Sequence, residues 1–164
     1  MRNELVDTFV QNARKVAAEA FVVADDGELN RVLAQVLQPA DRVYCPGVTN
    51  REKAVVFAPE QRCEDYRSAT VCVEEVFAGV AETGSVVSSS GGGKAIQAGL
   101  VCAHHVAIVA QENVMESVAD FFTQWGASPP TNITFETGPS RTADIELTLT
   151  IGVHGPGRLT VIVY

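Results

Sequence analysis

The sequence predicts an α/β layered domain, a single unit with a largely parallel sheet flanked by helices, and three observations carry that expectation. Apolar residues at helical spacing alternate along the chain with short β-branched runs, the pattern of repeated strand–helix units. The closing run RLTVIVY at 158–164 is continuously apolar, as a strand covered on both faces requires. At 164 residues, with 46% apolar and 20% charged side chains, the chain has the length of one domain and enough apolar surface for one core.

Taken in order, Leu5, Phe9, Ala13, Val16 and Ala20 recur at three and four residues and predict an amphipathic helix over about 2–20. FVVA at 21–24 reads as a strand. The Asp25-Asp26-Gly27 turn then starts a helix with Leu29, Val32, Leu33, Val36 and Leu37 inward, closed by Pro39. RVYC at 42–45, KAVVFA at 53–58 and TVCV at 70–73 are β-rich, as is SVVSSS at 85–90. A glycine turn at 91–93 leads to a helix over 94–101, followed by a strand, HHVAIVA, at 104–110. The next helix is expected to bury Val114, Val118, Phe121, Phe122 and Trp125. Its opposite side would be a solvated acidic face of Glu112, Glu116 and Asp120, with Gly126 as its C-terminal cap. TNITFET at 131–137 and the closing run complete the strands.

Charge narrows the partners. Twelve Lys and Arg against 20 Asp and Glu give a net charge of −8, which offers no general attraction for nucleic acid or an anionic membrane. A small anion is still accessible to one arginine and a few backbone amides. Cys45, Cys63, Cys72 and Cys102 have no C-x-x-C spacing, so no zinc or iron–sulfur site is written into the chain, and reduced thiols in a cytoplasmic protein are expected. MRNELVDTFVQNARK lacks the apolar core of a signal peptide, and no run has the length of a membrane span.

Three polar loops follow or join strands, where open parallel sheets bind ligands. In SSSGGGK, the amides of Gly91, Gly92 and Gly93 and the charge of Lys94 suit an anion, although neither a phosphate-loop nor a dinucleotide motif is present; a plain turn is the competing reading. In AETGS, Glu82 is a candidate base or acceptor, with Thr83 and Gly84 beside it; an exposed turn glutamate is the alternative. In GPSRTADIE, Arg141 presents a planar fork for a carboxylate or phosphate, and Ser140 and Asp144 either line a site or cap a turn. Arg141 paired with Asp144 or Glu146, with no ligand, is equally open. His104 and His105, adjacent in a strand, point to opposite faces and cannot share a metal; one is expected to line the core. His154, between glycines in GVHGPGR, is the candidate for a titrating role. The ETG echo, AETG at 81–84 and FETG at 135–138, is too short to be a repeat.

Taken together, VEEVFAGVAETGSVV at 73–87, HHVAIVAQENVMESVADFF at 104–122 and TGPSRTADIELTLTIGVHGPGRLTVIVY at 137–164 resemble the LUD domain family, specifically its lactate utilization protein C branch. The resemblance covers the second half of the chain and departs at Lys94, where arginine is usual. It implies a fold similar to the phosphosugar isomerase and CoA-transferase superfamily. It also implies participation in cytosolic oxidation of L-lactate to pyruvate, with iron–sulfur clusters carried by separate oxidoreductase subunits and no cofactor in this chain. On that reading Arg141 holds a small anion, Glu82 faces it as acceptor or base from the AETG wall, Lys94 and the glycine amides complement charge, and His154 relays a proton. A non-catalytic assembly module and an enzyme acting on a phosphorylated or CoA-linked substrate are the other readings, and the oligomeric state is open, a homo-oligomer included.

Overall fold

Helix α1 (Arg2–Lys15) places Val6, Phe9, Val10 and Ala13 on its buried side, with Glu4 in its first turn and Arg14 and Lys15 in its last, each sign matched to the helix dipole. The computed structural model describes residues 2–142, 150–151 and 155–164. α1 stops short of residue 20 because Ala17 turns left-handed (φ 68°) and closes the helix: Ala17 N–H bonds Arg14 O (3.0 Å) and Ala18 N–H bonds Ala13 O (3.0 Å). Strand β1 (Glu19–Val22) follows at once. The apolar spacing ran on through Ala20 because Ala18 and Ala20 leave the helix but enter the same core cluster as its buried side.

Helix α2 (Asp26–Val36) forms as its sequence predicts: the Asp25 side chain accepts from Glu28 N (2.8 Å), and Leu29, Leu33 and Val36 are buried. After β2 (Val43–Tyr44), the expected strand at 53–58 is replaced by the short helix α3 (Asn50–Ala54) and an irregular segment. Thr49 and Glu52 form a capping box there, a local signal that outweighs the β-branched pair Val55-Val56. Then come β3 (Val71–Glu75), β4 (Ala78–Val80), β5 (Ser85–Ser89), helix α4 (Ala98–Val101) and β6 (His104–Val109). The helix expected over 94–101 is thus confined to its second half, after a tight turn through Gly91–Gly93.

The segment read as one long helix from residue 112 is split. Gln111–Asn113 is a single 3-10 turn, Val114–Met115 is strand β7, and only Val118–Trp125 is helix α5. Ser117 and Asp120 form the capping box that starts α5, so Glu112, Glu116 and Asp120 share no helical face. Gly126 caps the end in right-handed geometry, its N–H bonding Phe122 O (2.7 Å). The remaining strands are β8 (Ile133–Glu136), β9 (Arg141–Thr142), β10 (Thr150–Ile151) and β11 (Arg158–Val163).

Five strands form an all-parallel sheet in the order β1-β11-β6-β3-β2. β11 and β6 lie inside it and are buried almost throughout. A second sheet, β7-β4-β5-β8, is antiparallel at β4/β5 and β5/β8 and parallel at β4/β7. β9 and β10 pair as an antiparallel ribbon. α2 covers one face of the parallel sheet, against Val71, Val73, Val106, Ile108 and Ile162. The other face, with Ala107, Val109, Val161 and Val163, shares a cluster with α1 and with Ala81 and Val86 of the second sheet. α1 is therefore the filling between two sheets, and α5 covers the outer side of the second through Phe121. Phe9 is fully buried at the centre of that filling, where truncation to alanine costs about 3–5 kcal/mol in comparable cores.

Candidate functional site

β3 carries glutamates at its end, and its alternation decides where they point. Cys72 and Glu74 share the face of β3 that pairs in register with His105 and Ala107 of β6, the face turned toward the second sheet. Glu74 is 2% exposed and His105 1%. Glu136, the last residue of β8, reaches the same point from the second sheet: its Oε2 lies 2.6 Å from His105 Nδ1. On the other side of the ring, His105 Nε2 lies 3.3 Å from Glu74 Oε1, close enough for an ion pair but not aligned as a hydrogen bond. Burial opposes charge on the ring, but the Glu136 and Glu74 carboxylates outweigh it, and the His105 pKa is pushed up to about 10. His104, on the opposite face, accepts or donates at Thr160 Oγ1 (2.8 Å); burial, assisted by Arg158, pushes its pKa down to about 4. The surroundings of the two neighbouring histidines thus push their titration in opposite directions.

Glu136 also lines a cavity of about 530 Å³ whose wall includes Lys15 at the end of α1, Leu100 of α4, and Thr137, Ser140 and Arg141 beyond β8. Ser140 N–H bonds Pro156 O (2.8 Å), which fixes the loop against the start of β11. Two cationic side chains and one carboxylate therefore share a concave surface. Asp144 and His154, expected here, lie outside the described residues, as does the Glu146 partner considered for Arg141.

The other expected site residues are placed elsewhere. Glu82 lines a separate cavity of about 730 Å³ with Glu4, Thr8 and Glu116, and its Oε2 accepts from Val118 N–H (3.2 Å) at the start of α5. AETG is not the wall opposite Arg141. Thr83 Oγ1 bonds Ser85 Oγ (2.7 Å), which in turn bonds Thr137 Oγ1 (2.6 Å). Gly91 and Lys94 line a third cavity, of about 340 Å³, with Glu74, Glu75, Ser88 and Ser89. There Lys94 Nζ pairs with buried Glu52 Oε1 at 2.6 Å and also donates to Glu75 O. Burial of Glu52 opposes its charge, but Lys94 and the Glu75 and Thr49 N–H groups hold its pKa below the usual carboxylate range. The charge of Lys94 is committed to that carboxylate. Gly92 and Gly93 shape the turn with left-handed backbone, and neither lines the Arg141 cavity.

The residues that sequence reasoning missed are Glu74, His105 and Glu136. One signal was available: Glu74 alternates with the apolar Cys72 and Val76, which marks a charge facing the interior. Three of the four thiols are inert, since burial pushes Cys45 up to about 11, Cys102 up to about 12 and Cys72 well above the usual thiol value, whereas the Ser68 hydroxyl holds the Cys63 thiol below it. Among the described residues, no group of three or more His, Cys, Asp or Glu has metal-binding geometry, and no helix is long and apolar enough to cross a membrane.

The fold is that of a two-sheet α/β protein of the kind seen in the crystal structure of a DUF162 family protein from Deinococcus radiodurans, which matches 99% of this chain and 98% of its own with a TM-score of 0.70. At 21% identity that likeness concerns the fold alone. The LUD domain model matches residues 48–164, and the chain belongs to that family. The resemblance carried by the 73–87, 104–122 and 137–164 motifs is thereby shown. The chain is similar to lactate utilization protein C of Geobacillus sp. (strain WCH70), 39% identical over 90 residues, and to that of Bacillus subtilis (strain 168), 36% identical over 91. Each alignment covers 51% of this chain and 37% of the relative, so the chain matches well under half the length of these relatives.

Proposed function

We propose that the chain acts in lactate utilization by binding a small carboxylate in the cavity between Lys15 and Arg141, with Glu136 as the acidic group on its wall. The observation that carries this reading is the pairing of two cations with a carboxylate that is itself anchored to a buried imidazole. Lys15 and Arg141 supply charge for an anion, and the planar fork of Arg141 matches a carboxylate's two oxygens. The names of the relatives supply the pathway. Electron transfer is assigned to separate iron–sulfur subunits, with no cofactor in this chain, and a cytoplasmic setting follows from that system.

On this reading the base role expected of Glu82 passes to Glu136, its counterpart in the second ETG motif. Thermal denaturation with L-lactate, pyruvate, CoA and nucleotides tests the proposal: a ligand at 100 times its dissociation constant adds about 2.7 kcal/mol of stability. Stabilisation by a three-carbon carboxylate supports the reading. Stabilisation by none of them removes the site and leaves an assembly module of the same fold.

A further inference from the structure

We infer that the cavity between the ends of β3 and β5 binds a small primary ammonium group, with the Glu74 carboxylate and the Ser88 hydroxyl as its acceptors. This cavity, of about 340 Å³, shares no lining residue with the one that holds Arg141. Glu74 enters it from the parallel sheet. Ser88 enters it from the second sheet, on the same side of β5 as Val86, whose side chain lies in the core between the sheets. Both line the cavity, and both are more than nine-tenths buried, at 2% and 7% exposure. Oε1 of Glu74 is shut against the His105 ring. Oε2 is the oxygen left at the cavity, and among the described residues neither it nor Ser88 Oγ has a hydrogen-bond partner. Buried polar side chains are almost always paired, so two unpaired ones on one cavity mark a place for a ligand's donors.

Charge selects the kind of donor. Lys94 Nζ, on the same wall, is taken by Glu52 Oε1 and Glu75 O, and the Glu75 side chain is taken by Arg51. Arg51 also reaches Glu112, and Glu74 and Glu136 share the single ring of His105. Even with His105 charged, the linked carboxylates Glu52, Glu74, Glu75, Glu112 and Glu136 outnumber the cations Lys94, Arg51 and His105. Glu112 is exposed, so the buried part of that excess falls on the group of Glu74, His105 and Glu136. An anion is repelled there, and a neutral hydroxyl would leave the charge uncompensated. An ammonium compensates it. Its N–H groups match the acceptors that Glu74 Oε2 and the hydroxyls of Ser88 and Ser89 present, while Phe77 supplies apolar wall for the carbon that carries it. The volume is at the lower end of the range for small-molecule sites, which keeps the ligand small.

The test is an NMR titration of the isotope-labelled whole chain at pH 7 and constant ionic strength with n-propylammonium chloride, set against tetramethylammonium chloride, which has the charge but no N–H group. Propylammonium should bind saturably, shift the backbone amides of Phe77, Ser88 and Ser89, and bind at least about tenfold more tightly than tetramethylammonium, the effect of a hydrogen bond to a charged group. Glu74→Gln, which keeps the shape and removes the charge, should weaken propylammonium about tenfold or more, and Ser88→Ala should weaken it by roughly threefold to tenfold. Equal affinity for the two cations, displacement of propylammonium by an equal concentration of potassium ion, or no saturable binding overturns the proposal. Unchanged affinity in both variants overturns it as well. Should Glu74→Gln fail to fold, Ser88→Ala and the comparison of the two cations on the unsubstituted chain decide.

Discussion

Gly84 and Gly138 stand opposite each other across the β5/β8 pair, just beyond the last paired residues. The register Val86–Glu136 continues through the Ser85–Thr137 hydroxyl pair (2.6 Å) to the two glycines, which have φ 67° and 70°. Both lie against the C-terminal turn of α1: a Cβ on Gly84 would fall 2.2 Å from Ala13 N, and one on Gly138 2.1 Å from Val16 O. The ETG echo in the sequence is therefore a matched pair of docking points for one helix. Its glycines are set by backbone conformation and by the closeness of α1.

Gly84→Ala and Gly138→Ala should each destabilise by about 3 kcal/mol or more, since left-handed strain and a backbone clash add. For a chain of this length that corresponds to a fall in Tm of roughly 6–12 °C. Because both press on the same turn of α1, the double variant should lose less than the sum of the singles, measurable by urea denaturation.

His105→Gln leaves Glu74 and Glu136 buried without their counter-charge, a loss of about 3–5 kcal/mol by analogy with broken buried pairs. The pH dependence has a definite sign. With the pKa raised from 6.5 to about 10 in the folded protein, the stabilisation is complete below about pH 6.5 and disappears as pH rises through about 10. Denaturation from pH 6 to 10 should show stability falling more steeply in the unsubstituted chain than in His105→Gln. Parallel curves would mean that the ring is not charged.

Lys94→Met strands the Glu52 carboxylate and should cost about 3 kcal/mol, while carboxylate affinity at the Arg141 cavity stays unchanged. Glu52, with its pKa lowered, contributes stability above the ordinary carboxylate pKa of 4.5 and loses it as pH falls through the folded value. Acid denaturation of Lys94→Met should accordingly begin at higher pH. A loss of ligand affinity at unchanged stability would instead return Lys94 to the binding site.

Strands β6 and β11 and helix α2 were legible in the sequence because each has one dominant local signal: an uninterrupted apolar run, or a cap followed by a 3.6-residue period. α1 was overextended because Ala20 stays buried after the chain changes from helix to strand, so the burial pattern crosses an element boundary. The split at Val114–Met115 was hidden by apolar residues that suit either state. Arg141 and Ser140 were found from loop chemistry, and they do line a cavity with a second cation, Lys15. The His105–Glu136 contact was not legible, because it joins residues 31 apart on different sheets and depends on how those sheets stack around α1. Glu82 attracted attention through the same motif that holds Glu136. Glu82 instead lines a separate cavity and accepts from Val118 N–H at the start of α5.

The central claim is that Arg141 clamps a carboxylate in the Lys15–Glu136 cavity, and the most direct measurement is the affinity of Arg141→Lys for L-lactate together with its Tm. The substitution keeps the charge and removes the planar fork, so affinity should fall roughly tenfold while Tm remains within about 2 °C of the unsubstituted chain. Unchanged affinity, or a loss that tracks a lowered Tm, would contradict the account.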